Sequence, residues 1–312
     1  MKFLTSTAAR LIITAAILAY LLRSIDVGAS VHAMLRVDPW WFAFTLLLVA
    51  IDRVVMAVRW LLLLRAAGVD ISATAALRIF LTSSFVGSFL PAGVGADAAR
   101  AYEVASRTSR GSQAVASVGI DRMLGLVAIA VLGIAGLAGW SQHVDPDLRL
   151  RLMAAAFLGG AATLAVFWVD TLVRACLPAR WHGTLWGWRV LRLGDAVGAY
   201  RRHPRVLLQV MALSIAVQLV RVFQAYGLGR GLGLEIGLPN YLVFMPVAML
   251  LLLLPVSISG FGLPQAAIVW LLRPVGVPDA ESLALATLII VIGIIGNLPG
   301  ALLYAVRRKP VT

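Results

Sequence analysis

The chain is poor in charge and poorer still in acid. Of its 312 residues only 13% are charged and only 14 are Asp or Glu. A soluble domain carries about 25% charged residues. There is too little polar side chain here to cover a water-exposed globule. Cysteine is nearly missing: Cys176 stands alone, which excludes a disulfide scaffold within the chain. The four histidines (His32, His143, His182, His203) are scattered, so no metal site and no cofactor are expected. Lysine is almost absent too, with Lys2 and Lys309 beside 25 Arg. What remains is apolar, at 61% of residues against about 45–50% in soluble proteins, and this also excludes disorder.

The net charge of +13 would suggest nucleic acid on a soluble protein. Here the basic residues sit between apolar runs, as the positive-inside rule produces in membrane proteins. Runs of roughly 20 apolar residues cross a bilayer as helices. Trp40 to Leu63, Ala114 to Trp140, Leu152 to Val173, Val206 to Leu228 and Leu283 to Val306 have that length. A shorter run, Ala8 to Leu22, is read as a retained first helix; the weak cleavage-like Val31-His32-Ala33 would make it a signal peptide.

Two further runs are too short to cross. Arg78 to Leu90 ends in Pro91-Ala92-Gly93-Val94-Gly95. Tyr241 to Leu254 ends in Pro255-Val256-Ser257-Ile258-Ser259-Gly260-Phe261-Gly262, and a short arm, Leu263 to Leu272, follows. Proline lacks the N–H and glycine loosens the helix, so both runs should break inside the membrane. Broken backbone at that depth is buried in protein or lines a wet cavity. Both are read as re-entrant hairpins. They match in order: Leu90-Pro91, Gly93/Gly95, Ala98-Ala99, and Leu254-Pro255, Gly260/Gly262, Ala266-Ala267. Matched, interrupted segments in opposite orientation are the signature of an inverted-repeat transporter.

The expected fold is therefore an all-α polytopic membrane protein. It is a single membrane domain over 1–312, with about six crossings and two hairpins, about eight hydrophobic segments in all. The halves are about 1–145 and 150–306. With both termini cytoplasmic, the loop 174–205 lies inside and holds seven Arg, while Asp26, Asp38, Asp145, Asp147, Glu235, Asp279 and Glu281 lie outside. Trp181, Trp186 and Trp188 in that loop suit an anionic membrane surface.

Charges within the spans carry the chemistry. A charge at the bilayer centre costs roughly 2.5–3.5 kcal/mol on insertion scales, so each needs a partner or water. Asp52 lies midway through its crossing beside Arg53, and Asp52, Met56 and Arg59 share a helix face. Arg59 is near the inner end and could instead snorkel. Asp97, Arg100 and Glu103 form an ionic stripe after the first hairpin: either a solvated inner face or a site where Arg100 and helix N–H groups hold a phosphate. Asp121 and Arg122 point about 100° apart and must find partners on other helices. Gln218, Arg221 and Gln224 repeat the i, i+3, i+6 spacing deep in a later crossing. Asn297 lies mid-span, where interhelical hydrogen bonding is the simple reading.

Other patterns carry less. Gly93-Val94-Gly95-Ala96-Asp97-Ala98 matches G-x-G-x-x-A, but no strand precedes it, which excludes a dinucleotide site. Ser257 and Ser259 have no His–Asp partner at sensible spacing, so no catalytic nucleophile is assigned. Gly227/Gly231 and Gly296/Gly300 fit small-xxx-small helix packing.

Arg59-Trp60, Pro91 with Gly95, Asp97 and Arg100, the pair Asp121-Arg122, and the run Pro255 to Gly262 together resemble the flippase-like membrane domain of the lysylphosphatidylglycerol synthase family. The resemblance runs from the first helix to Val306, which favours a retained first helix. This sequence departs from the family pattern at Ala96, where Gly is common, and at Gln265, where a carboxylate is common. If that carboxylate couples protons in relatives, Gln265 puts the coupling here in doubt. No aminoacyl-transferase domain lies within the 312 residues, so the resemblance implies lipid handling without lysyl transfer.

The resulting expectation is a flippase-like lipid translocase of the bacterial inner membrane rather than an enzyme. It would bind an anionic or polar headgroup, as on an anionic phospholipid or a lipid-linked phosphate, and move it between leaflets by alternating access. Arg59, Asp97, Arg100, Asp121, Arg122, Arg221 and Gln265 are its candidate substrate-binding residues. Asp52, Arg53, Glu103, Gln218 and Asn297 are candidates for ion pairs or cavity walls. Pro91, Gly93, Gly95, Pro255, Ser257, Ser259, Gly260 and Gly262 are the hairpin breaks. Two other classes compete: a membrane scaffold that binds lipid and recruits a soluble transferase through the Arg-rich loop, and an intramembrane enzyme acting on a lipid-linked phosphate with Asp97 or Asp121 as base.

Overall fold

The structure is a computed structural model. It describes residues 25–89, 95–108, 110–139, 146–171, 184–253 and 262–306. Among these residues there are twelve α-helices and no strand. In chain order they are α1 (Val27–Leu35), α2 (Pro39–Ala66), α3 (Ala73–Gly87), α4 (Gly95–Arg107), α5 (Gly111–Gly139), α6 (Pro146–Ala165), α7 (Leu185–Gly198), α8 (Pro204–Gly231), α9 (Leu238–Leu253), α10 (Leu263–Leu272), α11 (Asp279–Ile295) and α12 (Leu298–Val306). Four stretches are long and apolar enough to cross a membrane: Gly111–Gly139, Arg149–Thr171, Pro204–Gly231 and Asp279–Val306. Helix α2 has the length as well, 28 residues, and carries Asp52, Arg53 and Arg59 along it.

Local chemistry sets the ends. Asp38 accepts the N–H groups of Trp40 and Trp41 and starts α2, with Pro39 at its first position. Ser72 accepts from Ala75 N–H at the start of α3, and Thr184 from Gly187 N–H at the start of α7. Val31-His32-Ala33 lies in the middle of α1, which Asp26 caps.

The centre of the molecule is α2 against α8. Contacts pair Thr45 with Gly227, Asp52 with Arg221 and Arg59 with Ser214, so the two helices are antiparallel. Glycine makes this packing close: a Cβ on Gly227 would lie 2.7 Å from Thr45 Oγ1, and one on Gly231 would lie 3.1 Å from Trp41 Cβ. Between lipid tails apolar burial gives helices little reason to associate, and small residues that let backbones approach supply it. Helix α5 packs on both, through Trp60–Ser117 and Arg59–Asp121 to α2 and Gln218–Gly125 to α8.

The first predicted hairpin corresponds to α3 and α4, which pack together. A Cβ on Gly87 would lie 2.5 Å from that of Ala96, so glycine is needed on one arm. The second corresponds to α9 and α10, also packed together, and α10 covers the residues expected for the short arm. The break residues Pro91, Gly93, Pro255, Ser257, Ser259 and Gly260 lie outside the described residues, as do the expected first helix and Trp181. Gly95 opens α4, and Gly262 precedes α10 with a φ of 102° that favours glycine.

The last expected crossing, Leu283 to Val306, is present within Asp279–Val306, but a turn at Gly296–Asn297 interrupts it and divides α11 from α12. Pro299 has no N–H to donate to Ile295, and its ring crowds that carbonyl. Helix α12 then packs on α3, so close that a Cβ on Gly300 would lie 2.1 Å from Leu81 O.

Candidate functional site

Two ionic clusters lie inside this apolar body. Along α2 they are seven residues apart, about 10 Å of helix.

The first is built on Asp121 of α5, which is 1% exposed. Arg59 Nε donates to Asp121 Oδ1 at 2.6 Å, and Arg100 Nη2 donates to Asp121 Oδ2 at 3.0 Å. Arg100 Nη2 also reaches Asp97 Oδ1 at 2.8 Å, and Arg122 Nε pairs with Asp97 Oδ2 at 2.6 Å. Arg59 Nη1 donates to Ser214 Oγ on α8 at 3.1 Å. The Arg100 guanidinium lies 5.4 Å from the Trp60 ring centre and 5.9 Å from that of Phe80, within cation–π range. Three arginines thus face two carboxylates and join α2, α4, α5 and α8. Close by, Tyr200 donates its hydroxyl to Leu63 O at 2.9 Å. Burial, helped by the Asp121 charge, pushes that phenol above its ordinary range.

The second cluster is built on Asp52 of α2, which is 2% exposed. Arg53 Nη1 donates to Asp52 Oδ2 at 3.0 Å, and Arg221 Nε to Asp52 Oδ1 at 2.9 Å. Arg53 Nη2 continues to Gly293 O on α11 at 3.1 Å, and Arg221 Nη2 lies 2.9 Å from Met56 Sδ. Asp52, Arg53 and Arg221 line a cavity of about 230 Å³, with further walls from α8, α9, α10 and α11. On the opposite face of α9 is a larger, apolar groove of about 700 Å³, running between α5, α6 and α10.

The sequence candidates are therefore distributed unevenly. Asp97, Arg100, Asp121 and Arg122 come together with Arg59; Asp52, Arg53 and Arg221 come together separately. Arg59 does not snorkel: it is 3% exposed and bound to Asp121. Of the stripe on α4, Asp97 and Arg100 turn inward, whereas Glu103 pairs with Arg107 one turn on. Gln265 serves its own helix, its Oε1 accepting Gly262 N–H at 2.6 Å. Gln218 is buried between the clusters, with Nε2 3.5 Å from Gly125 O. Asn297 Nδ2 donates to Ser88 Oγ at 2.8 Å and ties the broken last crossing to the first hairpin.

Ser214, Ser117 and Trp60 are structural partners that the sequence candidates omitted. The signal for Ser214 was present, since Ser214, Gln218 and Arg221 fall at i, i+4, i+7 on one face. Ser117 precedes Asp121 by one turn in the same way. Among the described residues no group of His, Cys, Asp and Glu could hold a metal.

An all-helical body with membrane-length apolar helices and ion pairs buried among them defines an integral membrane protein. The family model of the lysylphosphatidylglycerol synthase TM region matches residues 7–300, and the chain belongs to that family. A search of curated proteins finds no match.

Proposed function

We propose that this protein is a lipid translocase rather than an enzyme, moving a lipid with an anionic or polar headgroup between leaflets of the bacterial inner membrane. The observation that carries this reading is the placement of Arg100, Arg122 and Arg221, each held by an Asp, at two depths within an apolar helical body. Charge so placed is expensive and marks substrate pathways. In the empty protein Asp52, Asp97 and Asp121 hold the arginines. A headgroup phosphate takes them over during passage, while the tails stay in lipid. Membership of a family named for synthesis of a membrane phospholipid supports a lipid substrate.

The proposed topology has six crossings, two re-entrant hairpins in an inverted repeat, and both termini cytoplasmic. The antiparallel run of α2 against α5 and α8 supports it. Alternating access then follows from rocking one hairpin against its neighbours.

The test is headgroup accessibility in liposomes containing a fluorescent anionic lipid and the purified protein. A membrane-impermeant quencher should extinguish nearly all fluorescence with the wild type. It should stop near half with Arg221→Gln or Arg100→Gln, because only the outer leaflet then stays exposed. Wild-type vesicles that also stop near half overturn the reading for that lipid. A scaffold that recruits a soluble transferase is the second reading. It is favoured by the exposed Trp188, Arg189 and Arg192 on α7, with Arg192 4.5 Å from the Trp188 ring centre.

A further inference from the structure

Beside the Asp52 cavity two donors are left over, neither presenting accessible surface as the side chains stand. Arg53 Nε and Gln224 Nε2 are buried and have no hydrogen-bond partner among the described residues. Both residues line the cavity with Asp52 and Arg221. A buried N–H without an acceptor pays its full desolvation cost, so a site that keeps two of them is short of an acceptor. The remaining wall is apolar, with Val49, Met245, Ala248, Ile268 and Ile289 among its residues. Among the described residues nothing else in the cavity offers an acceptor of comparable strength to the one carboxylate, which Arg53 and Arg221 already share.

Charge narrows the ligand. Two guanidinium groups against one carboxylate leave one net positive charge in a low-dielectric surrounding. A singly charged anion neutralises it. A dianion would leave a net negative charge, and a zwitterion would leave the positive charge uncompensated and add an ammonium with only Asp52 to meet it. Arginine forks match phosphate oxygens in pairs. About 230 Å³ is room for a phosphate ester and its first substituents, not for acyl chains.

We infer that this cavity is a binding site for a singly charged phosphodiester, held by Arg53, Arg221 and Gln224. Asp52 acts as the resident counter-ion that sets the charge the site accepts. The inference rests on the proposed lipid function for its ligand source and goes further in two ways: it separates this site from the Asp121 cluster, and it selects net-negative phosphodiester lipids over zwitterionic ones. The same chemistry occurs in a soluble phosphodiester, so the test has an arm for each source.

The experiment is native mass spectrometry of the full chain from mixed micelles holding equal phosphatidylglycerol and phosphatidylethanolamine of matched chains, with phosphatidic acid in a parallel sample. Wild type should retain phosphatidylglycerol at least about tenfold over phosphatidylethanolamine, a factor worth about 1.4 kcal/mol. Arg53→Gln should lower that retention about tenfold. Asp52→Asn raises the site to two net positive charges and should shift preference toward phosphatidic acid. Gln224→Leu breaks no ion pair; it should lower retention severalfold and carries the test if Arg53→Gln fails to fold. The second arm is calorimetric titration with glycerophosphoglycerol, the headgroup without its chains. Saturable binding of it that depends on Arg53 and Gln224, with no lipid retained, keeps the site and assigns it to a soluble ligand. Phosphatidylglycerol retention unchanged by Arg53→Gln and Gln224→Leu overturns the inference, as does equal retention of both lipids by wild type. Retention with the expected selectivity but no movement in liposomes would leave this site standing and the translocase reading fallen. Movement indifferent to Arg53 and Gln224 would do the reverse.

Discussion

Asp121→Asn is expected to cost about 3–5 kcal/mol of stability, the range for removing one partner from a buried ion pair. The substitution preserves shape and removes only charge. Arg100 keeps Asp97, but Arg59 keeps only neutral acceptors, the amide oxygen at 121 and the Ser214 hydroxyl. A guanidinium buried at that depth with a neutral partner is the expensive species. Thermal unfolding in detergent should therefore show a large fall in melting temperature for Asp121→Asn. Asp97→Asn should cost less, since Asp97 is 18% exposed on its side chain and water can replace it. The double variant Arg59→Leu with Asp121→Asn should recover part of the loss, because the arginines that remain, Arg100 and Arg122, both keep Asp97. If Asp121→Asn melts with the wild type, the cluster is hydrated rather than dry, and the argument from cost fails. The cycle also isolates the pairwise coupling, which neighbours in one network never show as a simple sum.

Gly136→Val should force α5 and α9 apart. Pro246 lies inside α9 and has no N–H, so the carbonyl of Leu242, four residues earlier, lacks its helical donor. That oxygen packs on Gly136, where a Cβ would lie 2.4 Å away and the carbonyl carbon 2.7 Å away. Both are backbone atoms and cannot rotate aside. Overpacking of this kind costs about 1–3 kcal/mol, occasionally more, and valine should lie at the upper end. Gly133→Ala is the matched control on the same helix: its Cβ would meet Pro246 Cβ at 3.6 Å, an ordinary contact. A melting temperature lowered by Gly136→Val and held by Gly133→Ala is the expected pair of results. Equal effects from both would mean that the approach of Leu242 is not what the melting temperature reads.

Much of this architecture was legible because apolar length and Pro/Gly punctuation are one-dimensional properties. The short arm Leu263 to Leu272 was readable to the residue, since proline stands second in it and an arginine follows it. The turn dividing α11 from α12 was not foreseen, although Pro299 is in plain sight; the apolar run around it is long enough to hide a break. Among the charges, adjacency predicted that Asp121 and Arg122 part company, which α5 obeys. Adjacent Asp52 and Arg53 nevertheless meet at 3.0 Å, because arginine is long enough to bend back toward a neighbouring carboxylate. Which carboxylate serves which arginine could not be read, because it depends on how α2, α5 and α8 are set against one another. Glu103 and Gln265 show the limit from the other side: right residue types at suggestive positions, each engaged by its own helix.

Helix α9 is a partition between two chambers. Met245, Ala248 and Met249 look into the charged cavity, and Val243, Pro246, Val247 and Leu250 into the apolar groove. The partition already lacks one rung of its ladder at Pro246, the natural place for it to bend. Any swing of either half toward one chamber takes space from that chamber and gives it to the other. The volumes of the groove and of the cavity are then coupled through one helix, even though no residue lines both.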